Sequence, residues 1–174
     1  MKKIEKLLSI GDLRTTGKSE EVVKMVLSDP QLFEDVINAV LTDDPGTRMR
    51  ASDAAEKITK IHPDWLHPFK KLFLERISKI SQQEVRWHTA QMLPRITLTK
   101  TERKRVFELL LTYLEDKSRI VKTSTMQALT EIAIQDNSYL IKVQKLLNDL
   151  IQVGSPAMKA RGKKLLLALE KVEA

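Results

Sequence analysis

The chain has 174 residues, 42% of them hydrophobic and 30% charged, with 5 glycines, 6 prolines and no cysteine. That length holds one domain with its own core or a short repeat array, and the composition excludes a disordered, collagen-like or disulfide-built chain, any thiolate metal site and any cysteine nucleophile. The net charge of +7 is uneven, with residues 30–62 summing to −2, 63–97 to +3 and 137–174 to +4, a field that serves either as a solvated lysine-rich exterior or to attract nucleic acid or another acidic surface.

The opening stretch MKKIEKLLSIGD has a basic tip, but Glu5 and Lys6 interrupt any signal-peptide core. No apolar run approaches the roughly 20 residues of a membrane span, and a cysteine-free chain suits a reducing compartment. A cytoplasmic protein with no membrane contact is expected. KKIEKLLS and SEEVVKMVLS read as two short helices flanking a polar turn, with Ser19 as N-cap of the second. The turn GDLRTTGKS almost spells a phosphate-binding loop. Gly11 and Gly17, however, enclose five residues where that loop needs four, and no strand precedes it, so it reads as a plain loop.

From residue 29 onward two kinds of helix alternate. The first kind is DPQLFEDVINAVLT, DWLHPFKKLFLERISKI, TKTERKRVFELLLTYLED and NSYLIKVQKLLNDLIQVG. Asp29-Pro30, Asp64 and the Thr99–Glu102 capping box supply start signals, and Pro68 falls in a first turn, where proline is tolerated. The second kind is DDPGTRMRASDAAEKI (43–58), SQQEVRWHTAQMLPRI (81–96), SRIVKTSTMQALTEI (118–132) and SPAMKARGKKLLLAL (155–169). Their expected caps, Asp44, Ser81, Ser118 and Ser155, are each 37 residues apart, with Ser81 and Glu84 forming a capping box. A basic residue follows each cap: Arg48, Arg86, Lys122 and Lys159. From it, small or apolar residues recur after three, six, seven and ten positions, as Ala51-Ala54-Ala55-Ile58, Thr89-Met92-Leu93-Ile96, Thr125-Ala128-Leu129-Ile132 and Gly162-Leu165-Leu166-Leu169. This is one helical stripe that must be buried. The second copy is shifted by one residue, as if one turn carried an insertion. The four cations are expected to pair with acidic neighbours such as Asp43, Glu84 and Asp116, and Pro94 to bend its helix.

The Val-Arg, Ala, Ala-Leu, Ile layout of EVRWHTAQMLPRI and RIVKTSTMQALTEI resembles the second helix of a HEAT repeat. The likeness runs over about 29–172 and departs from the pattern at Thr47, Met158, Lys122, Lys159 and Gly162. The chain also resembles small stand-alone bacterial HEAT-repeat proteins, a group that carries no common activity to transfer. The resemblance implies an all-α, right-handed α-α superhelix of about four HEAT-like helix pairs (29–62, 63–98, 99–136, 137–174) after an N-terminal helical cap (1–28), with 29–174 one continuous domain. It also implies that the second helices line a concave groove.

Trp87 lies nearly opposite the buried stripe of its helix, about 170° around the wheel, so it is expected to face that groove. Met49, Thr123 and Ala160 are its equivalents, and Asp53, Gln91, Gln127 and Lys164 form the next row. The expected partner-binding residues are Trp87, His88, Arg50, Gln91, Gln127, Arg161 and Lys164. A tryptophan beside arginines suits an interaction hot spot and also base stacking. His62, Asp64 and His67 lie close together in HPDWLHP, but two prolines stiffen the stretch and a fourth ligand is missing, so it reads as a connection in which Trp65 packs between adjacent repeats. No Ser-His-Asp set, paired carboxylates, cofactor loop or metal set stands out. The expectation is therefore a monomeric, non-enzymatic scaffold for a protein or peptide, with no cofactor. The alternatives are a nucleic-acid binder using Trp87 and the basic C-terminal half, including Lys100, Arg103, Lys104 and Arg105, or a HEAT-fold enzyme resembling the alkylpurine DNA glycosylases.

Overall fold

Asp44 shows how directly the sequence sets its helices. Its Oδ2 accepts hydrogen bonds from the Thr47 backbone N–H and hydroxyl, both at 2.6 Å, and Pro45 takes the first helical position, where no N–H is needed. The structure, a computed structural model, describes residues 3–173. All regular structure among them is helical, and they form two compact units, one ending at Thr97 and one beginning at Leu98.

The first unit contains α1 (Lys3–Leu8), α2 (Ser19–Ser28), α3 (Phe33–Ala39), α4 (Pro45–Ile61), α5 (Lys70–Glu75) and α6 (Gln83–Met92). At its centre is α4, which packs against α2, α3 and α6. Ala51, Ala54, Ala55 and Ile58 of α4 are fully buried, as are Val22 and Val26 of α2 and Val36 and Ile37 of α3. Each large aliphatic side chain removed from water in this way stabilises the unit by about 1.5–3 kcal/mol. α1 packs on α3 much as α2 packs on α4.

Several expectations are corrected in this unit. Ser81 does not cap α6; Gln82 holds that position, without a side-chain cap bond. Its amide works sideways instead, with Oε1 accepting from Arg48 Nε and Nε2 donating to the Pro45 carbonyl, both at 2.9 Å. Arg48 is therefore bound by Gln82 and by the Thr42 carbonyl rather than by Asp43. With Gln82 as cap, Arg86 stands four residues after it, just as Arg48, Lys122 and Lys159 follow Asp44, Ser118 and Ser155. The extra residue precedes the helix and does not interrupt it.

The stretch 63–80 is not one helix. Pro63–Phe69 is a 3-10 helix, α5 follows, and Ile77–Lys79 is 3-10 again. Pro63 and Pro68 both lack an N–H, and two such gaps so close together prevent an α-helical ladder. His62 takes the cap position and Asp64 lies in the first turn. Pro94 likewise ends α6 at Met92, with Leu93–Arg95 continuing as 3-10, so it stops the helix instead of bending it.

The second unit holds α7 (Lys100–Tyr113), α8 (Arg119–Gln135), α9 (Leu140–Val153) and α10 (Pro156–Glu173). Thr99 and Glu102 form a complete capping box, and Ser118 caps α8 through Val121 N–H. The Ser155 hydroxyl accepts from Met158 N–H at 3.4 Å. α8 packs against α7, α9 and α10, burying Thr125, Ala128, Leu129 and Ile132. On α10 Gly162, Leu165 and Leu169 are buried, while Leu166 is half-exposed. No helix among the described residues is long and apolar enough to cross a membrane.

Candidate functional site

Ser19, Asp53 and His88 come from α2, α4 and α6 and meet in a polar cluster on one face of the first unit. Ser19 is not the expected N-cap. It occupies the first position of α2, is fully buried, and donates its hydroxyl to Asp53 Oδ2 at 2.5 Å. The same oxygen accepts from Lys57 Nζ at 2.8 Å, and Lys57 also pairs with Glu20. Burial works against the Lys57 ammonium, but the hydrogen bonds it donates to Asp53 and Glu20, with their negative charges, outweigh it and hold the group above its ordinary value. His88 Nε2 is 3.9 Å from Asp53 Oδ1, and Nδ1 lies 3.1 Å from Gln91 Oε1. Burial keeps the imidazole below its ordinary 6.5, against the pull of Asp53 and Glu56. Beside this cluster Arg95 clasps the end of α4, bonding the Glu56 carbonyl, the Glu56 carboxylate and Thr59 Oγ1.

Serine, aspartate and histidine together invite comparison with a hydrolytic triad, but the order is wrong for one. A nucleophilic serine hands its proton to the imidazole, which the carboxylate orients. Here the carboxylate stands between the two, and Ser19 is fully buried, with no surface open to a substrate. The cluster joins three helices through their side chains, with Ser19 and His88 buried, Asp53, Lys57 and Gln91 partly open and Glu20 exposed at its edge.

The expected partner-binding residues divide into groups. His88 and Gln91 are joined by the hydrogen bond just described, and His88 is buried. Trp87 is half-buried, its ring 5.3 Å from that of His88. Met49, expected in the same exposed row as Trp87, is buried. Arg50 is 1% exposed and does not line a groove. Its Nε donates to the Leu8 carbonyl at 2.5 Å and its Nη1 to that of Asp12 at 2.8 Å, which fixes the exposed loop between α1 and α2. Gly17 in that loop has φ +50°, and a Cβ there would lie 2.9 Å from Arg50 Cδ. In the second unit Arg161 Nη1 donates to Gln127 Oε1 at 3.3 Å, Gln127 also donates to Glu131, and Lys164 is exposed.

Sequence reasoning missed the Ser19–Asp53 bond because its two residues are 34 apart and belong to helices whose stacking no local pattern states. It also missed how Trp65 packs. That ring stacks on His62, with centroids 4.4 Å apart and planes 8° from parallel, and inclines at 59° to Phe33 across 5.8 Å. Phe33 meets Phe69 edge to face at 5.7 Å. Trp65 remains half-buried, and His67 Nε2 lies 3.1 Å from Thr97 Oγ1, so His62, Asp64 and His67 do not converge. No group of three or more His, Asp or Glu side chains among the described residues is placed to hold a metal ion.

No protein-family model matches the chain, and no curated protein matches it. The fold is similar to the crystal structure of an engineered protein, a structural-genomics target, with a TM-score of 0.63 over 97% of this chain and 78% of that one. The sequences are 15% identical, so the likeness extends to the fold alone.

Proposed function

We propose that the chain is a non-enzymatic scaffold of HEAT-like helix pairs, wound as a right-handed solenoid, which takes a protein or peptide partner on the face of its second helices. The observation that carries this reading is Trp87. It stays half-exposed on α6 while Val85, Thr89 and Met92 bury the opposite side. Large rings left partly in water beside a rigid support are favoured anchors for a partner, since little further ordering is needed on binding. The support here is the Ser19–Asp53–Lys57 and His88–Gln91 bonding.

The test is quantitative affinity capture with wild-type protein and Trp87→Ala, alongside urea unfolding of both. Truncation is expected to weaken a specific partner by about 2 kcal/mol or more, with a smaller effect on stability. A partner retained in full by Trp87→Ala would place binding elsewhere.

A further inference from the structure

The start of α3 and the 3-10 stretch that follows α4 flank an open pocket of about 370 Å³, within the range of ligand sites. Phe33 is its buried floor, and the half-exposed Trp65 and Phe69 are its walls. The three rings are mutually inclined, as described above, and His62 stacked on Trp65 holds that ring in place. Glu34 and Asp64 stand exposed at the rim. No lysine or arginine lines the pocket in a chain of net charge +7, and Lys70, next to Phe69, reaches the Thr97 carbonyl at 3.5 Å.

We propose that this pocket receives an arginine side chain presented by a partner protein. Ring faces carry negative potential and attract a cation lying over them, and the two carboxylates add to that attraction. An anion would be repelled by the same carboxylates. A purely apolar side chain would strip water from them without supplying a counter-charge. Two carboxylates without a third ligand make a poor metal site. A planar guanidinium stacks on aromatic rings and meets a carboxylate with two parallel N–H groups, which an ammonium does not. The pocket opens to solvent and is wider than a guanidinium alone, which suits a side chain arriving on a peptide backbone. It shares no residue with the face around Trp87, so the two proposals stand or fall separately.

The experiment is NMR of the full chain labelled with nitrogen-15, following the two tryptophan indole signals, assigned with Trp65→Phe. The probe is a capped five-residue peptide with arginine at its centre, titrated beside a twin carrying neutral citrulline. The Trp65 signal is expected to shift saturably with the arginine peptide, and the citrulline peptide to bind about fivefold more weakly or worse. Glu34→Gln with Asp64→Asn, two exposed positions that leave folding intact, should abolish that preference, and added salt should shrink it. Absence of a saturable Trp65 shift, equal binding of the two peptides, or a preference that survives in the double variant would each overturn the proposal.

Discussion

Arg50 and His88 show how a polar side chain expected at the surface is absorbed by the interior. A guanidinium is buried only where it finds acceptors, and the carbonyls of Leu8 and Asp12 take two of the five N–H groups of Arg50. Its charge also bears on Asp12 and Asp44, whose carboxyls lie below 3.8 chiefly through hydrogen bonds from Arg14 and Thr47 respectively. His88 has a consequence in pH. Because burial depresses its folded value below 6.5, the unfolded chain takes up the proton first as the solution is acidified. Its contribution to stability is therefore complete above about pH 6.5 and is lost as pH falls through the lower folded value. Asp53 and Glu56 of α4 moderate the loss, while Lys57 adds to it. The Asp12, Asp44 and Asp136 carboxyls, all below 3.8, titrate in a more acidic window. Urea unfolding is expected to show stability declining from pH 7 to pH 5, with a flatter profile in His88→Gln. An unchanged slope in that variant would show that the imidazole is not the source.

Gly162 displays a contest between helix propensity and packing. The resemblance to HEAT repeats calls for alanine at this position of α10, and in a free helix alanine is favoured by about 1 kcal/mol. A Cβ here, however, would come 2.7 Å from Ile151 Cγ1 of α9 and 3.2 Å from Met126 Cε of α8. Overpacking of a closed core costs about 1–3 kcal/mol, so packing wins. Gly162→Ala, its packing cost set against the gain in helix propensity, is expected to destabilise by up to about 2 kcal/mol, read as a lower urea midpoint at constant slope. A gain in stability would mean that α8 and α9 have room to yield. At the same scale, proline chemistry separates the two kinds of outcome at helix ends. A lone Pro45 or Pro156 opens a helix, whereas Pro63 with Pro68 replaces most of one by 3-10 turns.

Across the whole chain, the second unit, from Leu98, contains 14 Lys and Arg against 9 Asp and Glu, so it holds +5 of the net +7. On α10 the cations Lys159, Lys163 and Lys164 are exposed, and Arg161 is bound to Gln127. About three phosphate contacts from such a patch give a log–log salt slope near −3, a loss of about fortyfold between 50 and 200 mM salt. DNA binding measured across salt is expected to follow that shallow line without sequence preference. A slope steeper than about −6 with a preferred site would favour the nucleic-acid reading over a protein partner. What the sequence reveals at this scale follows the range of each signal. Caps such as Asp44 and the Thr99–Glu102 box, and the stripe through Ala51, Ala54, Ala55 and Ile58, are spelled within a few residues of one another and are legible. Ser19 with Asp53, Gln82 with Arg48, and Phe33 with Trp65 lie more than 30 residues apart, and their meeting depends on how one helix pair stacks on the next. The candidate site is made of such meetings, which is why it was largely hidden.

The bonds from Arg50 to Leu8 and Asp12 also bear on the order in which the chain becomes committed during synthesis. Those two carbonyls leave the ribosome 42 and 38 residues ahead of the guanidinium that will bind them. At roughly 5–20 residues per second, that is a delay of roughly two to eight seconds in which only water satisfies them. The loop between α1 and α2 thus gains these two bonds only when α4 arrives, although α1 itself has α2 and α3 to pack on sooner, so here a loop is pinned by an element made well after it.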